Sequence, residues 1–233
     1  MDEFHAKRLE TTLQVVYQDD DYFIVNKPYD CRIQPDPRVP HQPSAETLIQ
    51  KQYPHLPPLK NVHQIDYATS GIYVLALTRQ AAAAVSTLFR ERQVEKTYLA
   101  IVHGHLQQEN STFTIDKPIG QDPDHPFRMA VVPTGKSSFT TVHILQHGYY
   151  NDAQQKIDRI PVTKVLLYPK TGRRHQLRVH LQSIGHPILG DFNYEVPFSN
   201  AFRMMLHAYK IHFPLPSGPL TVETDDPFEN FVI

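Results

Sequence analysis

His63-Gln64-Ile65-Asp66-Tyr67-Ala68-Thr69-Ser70-Gly71 runs directly into Ile72-Tyr73-Val74-Leu75-Ala76-Leu77-Thr78. The second half is apolar and β-branched, which reads as a buried strand. The first half sets a carboxylate, two hydroxyls and a glycine at the approach to that strand. Asp is depleted from strand interiors, and Thr-Ser-Gly is turn chemistry. Asp66 is therefore expected at the mouth of a sheet, held by a tight turn and backed by a core strand. A reactive carboxylate would sit there, and so would an ordinary turn Asp. Thr69 and Ser70 are expected to hold the turn by side-chain bonds to backbone. Gly71 supplies backbone freedom.

Working outward, short aromatic and β-branched runs at 13–18 and 22–26 flank Asp19-Asp20-Asp21 and read as a hairpin. Residues 27–43 are Pro-rich. Ser44 is a suitable N-cap for a short helix to about Gln52. Arg79 to Gln93 reads as a helix burying Ala82, Val85, Leu88 and Phe89. Lys96–His105, Ser111–Asp116, Ser137–Leu145 and Val162–Tyr168 read as strands, with a loop from Gly120 to Pro126. Thr171-Gly172 leads into a helix from about Arg174 to Ile184, ended by Gly185. Arg203–Phe213 and Leu220–Glu223 complete the strands. Many strands with few helices indicate an α+β protein with a large, mostly antiparallel sheet.

In that last helix Arg174 and Arg178 are four apart and share a face, with Leu177, Leu181 and Ile184 on the opposite stripe. A solvated basic face and a phosphate-binding face both fit this pattern. Tyr98 fits either a core strand aromatic or a stacking platform. Among the 14 histidines, His103 and His105 flank a glycine and His175 and His180 are five apart, so neither pair has the helical i, i+4 spacing of a zinc site, and there is no Cys/His cluster. Core hydrogen bonds are expected of them, and no metal.

The chain has 233 residues, 40% hydrophobic and 20% charged, with a formal net charge of −1. One domain, or two closely packed halves, is expected. The balance of charge excludes a strongly basic nucleic-acid coat but leaves room for a local basic groove. One cysteine, Cys31, allows no intrachain disulfide and suits a reducing compartment. The start lacks a secretory or Arg-rich leader, and no apolar run spans a membrane. A cytoplasmic location is expected, with the nucleus open, and a monomer is the default.

Five stretches together resemble the RluA-type pseudouridine synthases. The Asp66 segment is similar to their H-R-L-D-x-x-T-S-G signature. Lys96-Thr97-Tyr98-Leu99-Ala100-Ile101-Val102-His103-Gly104 resembles their K-x-Y-x-A-x-V-x-G strand. Thr171-Gly172-Arg173-Arg174-His175-Gln176-Leu177-Arg178-Val179-His180 resembles T-G-R-x-H-Q-[IL]-R-x-H. Gly185-His186-Pro187-Ile188-Leu189-Gly190-Asp191 resembles G-H-P-I-x-G-D, and Val25-Asn26-Lys27-Pro28 resembles the opening V-N-K-P. The match runs from about Val15 to Phe213. It is specific because all five occur in order.

The resemblance implies the pseudouridine synthase fold, with a mixed central sheet, flanking helices and a catalytic cleft. It implies one catalytic domain over 1–233, without the extra N-terminal RNA-binding domain that this branch often carries. The implied activity is isomerisation of uridine to pseudouridine in structured RNA, tRNA or rRNA, with a lean toward tRNA. The implied partner is the RNA alone, with no cofactor. Asp66 takes the slot of the catalytic aspartate, Tyr98 that of the aromatic packing on the flipped uracil, and Arg173 that of the arginine pairing with the aspartate. An arginine within about 4 Å favours the charged form of a carboxylate. His63, Gln64, Lys96, Arg174 and Arg178 are the expected RNA contacts. Ile65, Leu177 and Leu206 are expected apolar walls.

Two departures stand out. Gln64 replaces the family's usual Arg, keeping hydrogen bonding but losing charge and the planar fork. Lys27-Pro28-Tyr29-Asp30 replaces K-P-x-G. The rival reading is a weak or inactive synthase-fold RNA-binding protein or RNA chaperone. Such a protein would be expected to have lost one of Asp66, Tyr98 and Arg173, and all three are present.

Overall fold

The computed structural model describes residues 13–152, 155, 157–215 and 217–232. The chain forms two compact units. One runs to Val94 and takes up Lys210–Thr224; the other holds Glu95–Tyr209 and the residues from Asp225 onward.

In the first unit β1 (Gln14–Gln18) pairs antiparallel with β2 (Tyr22–Lys27) across the expected Asp-rich hairpin. The hairpin is closed by Asp19, whose carboxylate accepts from the backbone N–H groups of Asp21 and Tyr22. β2 then pairs antiparallel with β4 (Ser70–Ala76), the strand that follows Asp66. Every residue of β4 is buried, as its unbroken apolar run requires. Two-residue β3 (Lys60–Asn61) pairs with the far end of β4.

Helix α1 (Ala45–Gln52) starts at Ser44, whose hydroxyl accepts from Thr47 N while Thr47 answers the Ser44 N–H. This reciprocal cap satisfies two of the helix's orphan donors. Helix α2 (Arg79–Arg90) starts at the cap Thr78. It buries Val85 and Leu88 as expected, with Ala81 buried and Ala82 and Phe89 half-buried. Leu13, Phe23, Val25, Ile49, Tyr73 and Leu75 form the core, and Ile65 packs against it. Lys210–Phe213 pairs with β11 (Leu220–Glu223).

In the second unit β5 (Glu95–His103), β10 (Ile157–Pro169), β9 (Phe139–Asp152) and β6 (Thr112–Asp116) lie side by side in that order, all antiparallel. The 14-residue β9 and 13-residue β10 make one long hairpin, where shorter strands are expected from the sequence. The expected Gly120–Pro126 loop starts within a strand: Gly120 and Gln121 belong to β7 (Ile119–Gln121), which pairs with β8 (Met129–Val131) in a small hairpin whose tip is residues 122–128. Helix α3 spans only Gln176–Gln182, shorter than the expected Arg174–Ile184. His175 holds a left-handed φ of 55°, so the helix cannot begin before it. Strands outnumber helices in both units, and the α+β class holds. Among the described residues no helix is long and apolar enough to cross a membrane.

Candidate active site

The Asp66 turn is a tight one. Thr69 N donates to Asp66 O at 3.2 Å, leaving Tyr67 and Ala68 at the bend. Thr69 thus contributes its backbone N–H. Gly71 follows with φ of 107°, a region that favours glycine. The turn is anchored from behind by a residue that sequence reasoning left unassigned. Lys27 is fully buried. Its ammonium donates to the carbonyls of Pro28 at 2.9 Å, Cys31 at 2.8 Å and Tyr67 at 3.1 Å. Cys31 N also donates to Tyr67 O. One buried charge with three carbonyls around it ties the residue after Asp66 to the 28–31 loop. The signal was in the V-N-K-P stretch, where an apolar run ends in a lysine.

Asp66 itself is half-buried, Gln64 beside it is exposed, and Ile65 is held by the core. His63 is placed differently from expectation. Its Nε2 accepts from Val74 N at 2.9 Å, and its ring lies between Tyr73 and Phe89 at 5.3 and 5.2 Å. These contacts make His63 a structural brace of the first unit.

In the second unit Lys96 and Tyr98 lie two apart on β5 and so share a strand face. Both are half-buried. The Lys96 ammonium reaches to 3.8 Å from the point where a Cβ on Gly172 would stand. Burial lowers its pKa. Lys96 thus backs the turn that carries Arg173. Arg173 is half-buried, with Nε and Nη2 each 3.4 Å from Ser137 O, long contacts that leave most of its donor capacity uncommitted. Arg174 is exposed.

The Arg173 turn is built by Gln176, which is 4% exposed. Its Oε1 accepts from Arg173 N at 3.0 Å and from the Thr171 hydroxyl at 2.7 Å. Its amide nitrogen donates to Phe139 O and Thr140 Oγ1. Four bonds from one side chain fix the turn against the start of β9. The Thr140 hydroxyl also meets Nδ1 of fully buried His180, whose Nε2 bonds Lys117 O. Burial lowers the His180 pKa, consistent with a neutral ring that uses both nitrogens.

Arg178 also departs from expectation. It is 4% exposed, and its Nε and Nη2 fork onto Asp191 at 2.7 and 2.8 Å. Its guanidinium lies 5.0 Å from the centre of the Tyr194 ring. An arginine spent on a buried carboxylate is not a phosphate contact, and the shared basic face with Arg174 does not exist because Arg174 precedes the helix. Leu177 and Leu206 are buried.

Asp66 and Gln64 therefore belong to the first unit, and Lys96, Tyr98 and Arg173 to the second. Among the described residues no three His, Cys, Asp or Glu side chains are grouped as metal ligands. The histidines mostly bond backbone: His105 to Gly148 O, His147 to Leu106 O and His186 to His103 O.

A family model described as RNA pseudouridylate synthase matches residues 21–183. The chain is 38% identical over 233 residues to RNA pseudouridylate synthase domain-containing protein 1 of Danio rerio, covering 93% of this chain and 75% of that one. It is 37% identical over 211 residues to the dual-specificity RNA pseudouridine synthase RluA of Escherichia coli K12, covering 89% and 90%. The solved structure of human RNA pseudouridylate synthase domain containing 1 superposes with a TM-score of 0.80 at 36% identity, over 93% of this chain and 84% of that one. The motif-bearing turns lie within the matched span, and the chain belongs to the RNA pseudouridylate synthase family, as an isomerase of RNA uridine.

Proposed function

We propose that Asp66 is the catalytic carboxylate, acting on a uridine flipped out of tRNA or rRNA. The observation that carries this is the Asp66 turn, a half-buried carboxylate on a bend held by the buried Lys27 ammonium and backed by a fully buried strand. The reaction breaks the N1–C1′ bond, turns the uracil and joins C5 to C1′. The C5 proton leaves and N1 takes one up, so no redox partner or energy input is needed. Asp66 either adds to the base or sugar or removes a sugar proton to give a glycal. In both routes it must be ionised. Arg173, with its donors largely uncommitted, is the cation assigned to pair with it in the RNA complex.

A uridine must leave the stack to be reached. Tyr98 is the platform for the extruded base, a contact worth roughly 1–3 kcal/mol. Lys96, Arg174 and Gln64 are the proposed RNA contacts. The present set of Asp66, Tyr98 and Arg173 argues against a synthase fold that only binds RNA.

Deleting the gene and mapping pseudouridine across cellular RNA tests the reading. At least one site in tRNA or rRNA should vanish and return with the wild-type gene but not with Asp66→Asn. Return of the site with Asp66→Asn would remove Asp66 from the chemistry.

A further inference from the structure

The turn that presents Asp66 also borders an open recess in the first unit. Ile65 and Tyr67, the residues on either side of Asp66, form one side, and the Arg32–Pro37 loop forms the other. The recess holds about 300 Å³, the low end of the roughly 300–1,000 Å³ of small-ligand sites. That suits a single planar ring system. Asp66 does not line it, so it is a neighbour of the reacting position.

Its chemistry is mixed in a particular way. Ile33 is buried and Ile65 half-buried, giving an apolar floor. Tyr67 is 42% exposed, high for a ring whose backbone carbonyl is pinned by Lys27 and Cys31. The Arg32 guanidinium stands 5.2 Å from the Tyr67 ring centre and is steadied by Gln42 Oε1 and by Asp36 at 3.8 Å. Asp36 is in turn forked by Arg38 at 2.9 and 3.0 Å. Exposed Gln34 adds a free-standing amide at the rim. An aromatic ring and a guanidinium over an apolar floor is a stacking platform for a base, and an amide with a carboxylate at its edge can read hydrogen-bond donors and acceptors.

We propose that this recess binds one unpaired nucleobase of the substrate RNA next to the target uridine, and so selects sequence context. The inference rests on the proposed catalytic reading of Asp66.

The test uses purified full-length protein and RNA copies of a modified site, with each of the four bases at each flanking position. Wild type should favour particular bases at one flanking position. Tyr67→Ala should raise KM roughly tenfold, the size of one lost stacked base, and flatten that preference, while Tyr67→Phe retains both. Gln34→Ala should change which base is favoured without the tenfold rise. Conversion by wild type with unchanged KM and preference in Tyr67→Ala would overturn the recess and leave Asp66 standing. Equal losses in Tyr67→Phe and Tyr67→Ala would also overturn it, because the ring face would not be what matters. No conversion of any RNA by wild type would overturn the catalytic reading and the recess with it.

Discussion

Lys27→Met removes the buried ammonium behind the Asp66 turn while keeping most of the side-chain volume. Three carbonyls lose a charged donor: Pro28 O, Cys31 O and Tyr67 O. Tyr67 O keeps the Cys31 N–H, so two lose the lysine bond with no second donor among the described residues. A buried acceptor left unmatched costs about 1–3 kcal/mol, giving about 2–6 kcal/mol for the pair. Relief of the ammonium's own desolvation offsets part of this. The expected net loss is about 2–4 kcal/mol, a large part of a typical domain's stability. Because one of the three bonds ends on the residue after Asp66, turnover should fall further than the folded fraction does. Urea unfolding followed by circular dichroism gives the first quantity. Conversion of RNA below the unfolding midpoint, at matched folded protein, gives the second. A loss under about 1 kcal/mol with full turnover would refute the view that Lys27 holds the turn.

Three further outcomes follow from the same contacts. Arg178→Met strands the fully buried Asp191 carboxylate and should cost about 3–5 kcal/mol, whereas Arg178→Met with Asp191→Leu recovers much of it; thermal unfolding of the two variants decides, and equal stability would deny the pairing its weight. Gln176→Leu frees the Arg173 turn from its clamp, so kcat should fall more than tenfold while the Tm shift stays within the cost of lost hydrogen bonds; an unchanged kcat would show that the clamp does not position Arg173. Burial, aided by Arg203, pushes the His207 pKa down to about 3. Its folded value lies below its unfolded one, so stability is full above about pH 6.5 and is lost as pH falls toward 3, on the order of 1.4 kcal/mol per pH unit. Urea midpoints between pH 7 and 5 should slope less in His207→Gln than in wild type, and parallel curves would contradict this.

The parts of the fold set by local chemistry were legible. Ser44 caps its helix, Asp19 closes its hairpin, and Asp66 sits on a bend before a buried strand, because each is decided within a few residues. The parts set by distant partners were not. Gln146-His147-Gly148 lies past the expected strand end at Leu145, yet β9 continues through it, after a register shift at Leu145, because β10 supplies its ladder bonds. Spacing alone put Arg178 beside Arg174 on a helix face. A left-handed His175 and a carboxylate 13 residues further on moved it into the core. His63 read as an RNA contact because nothing local announces Phe89 or the Val74 N–H as its partners. Lys27 and Gln176 stood in the quoted motifs without roles, since their partners are carbonyls, amides and hydroxyls brought to them only by the fold.

The most direct measurement is tritium release from RNA carrying uridine labelled at C5, with wild type and Asp66→Asn side by side. Joining C5 to C1′ must expel the C5 hydrogen, whatever the site in the RNA. Release by wild type and none by Asp66→Asn, with RNA binding retained in both, is the predicted result. Equal release by the two proteins, or none from wild type on any cellular RNA, would contradict the account.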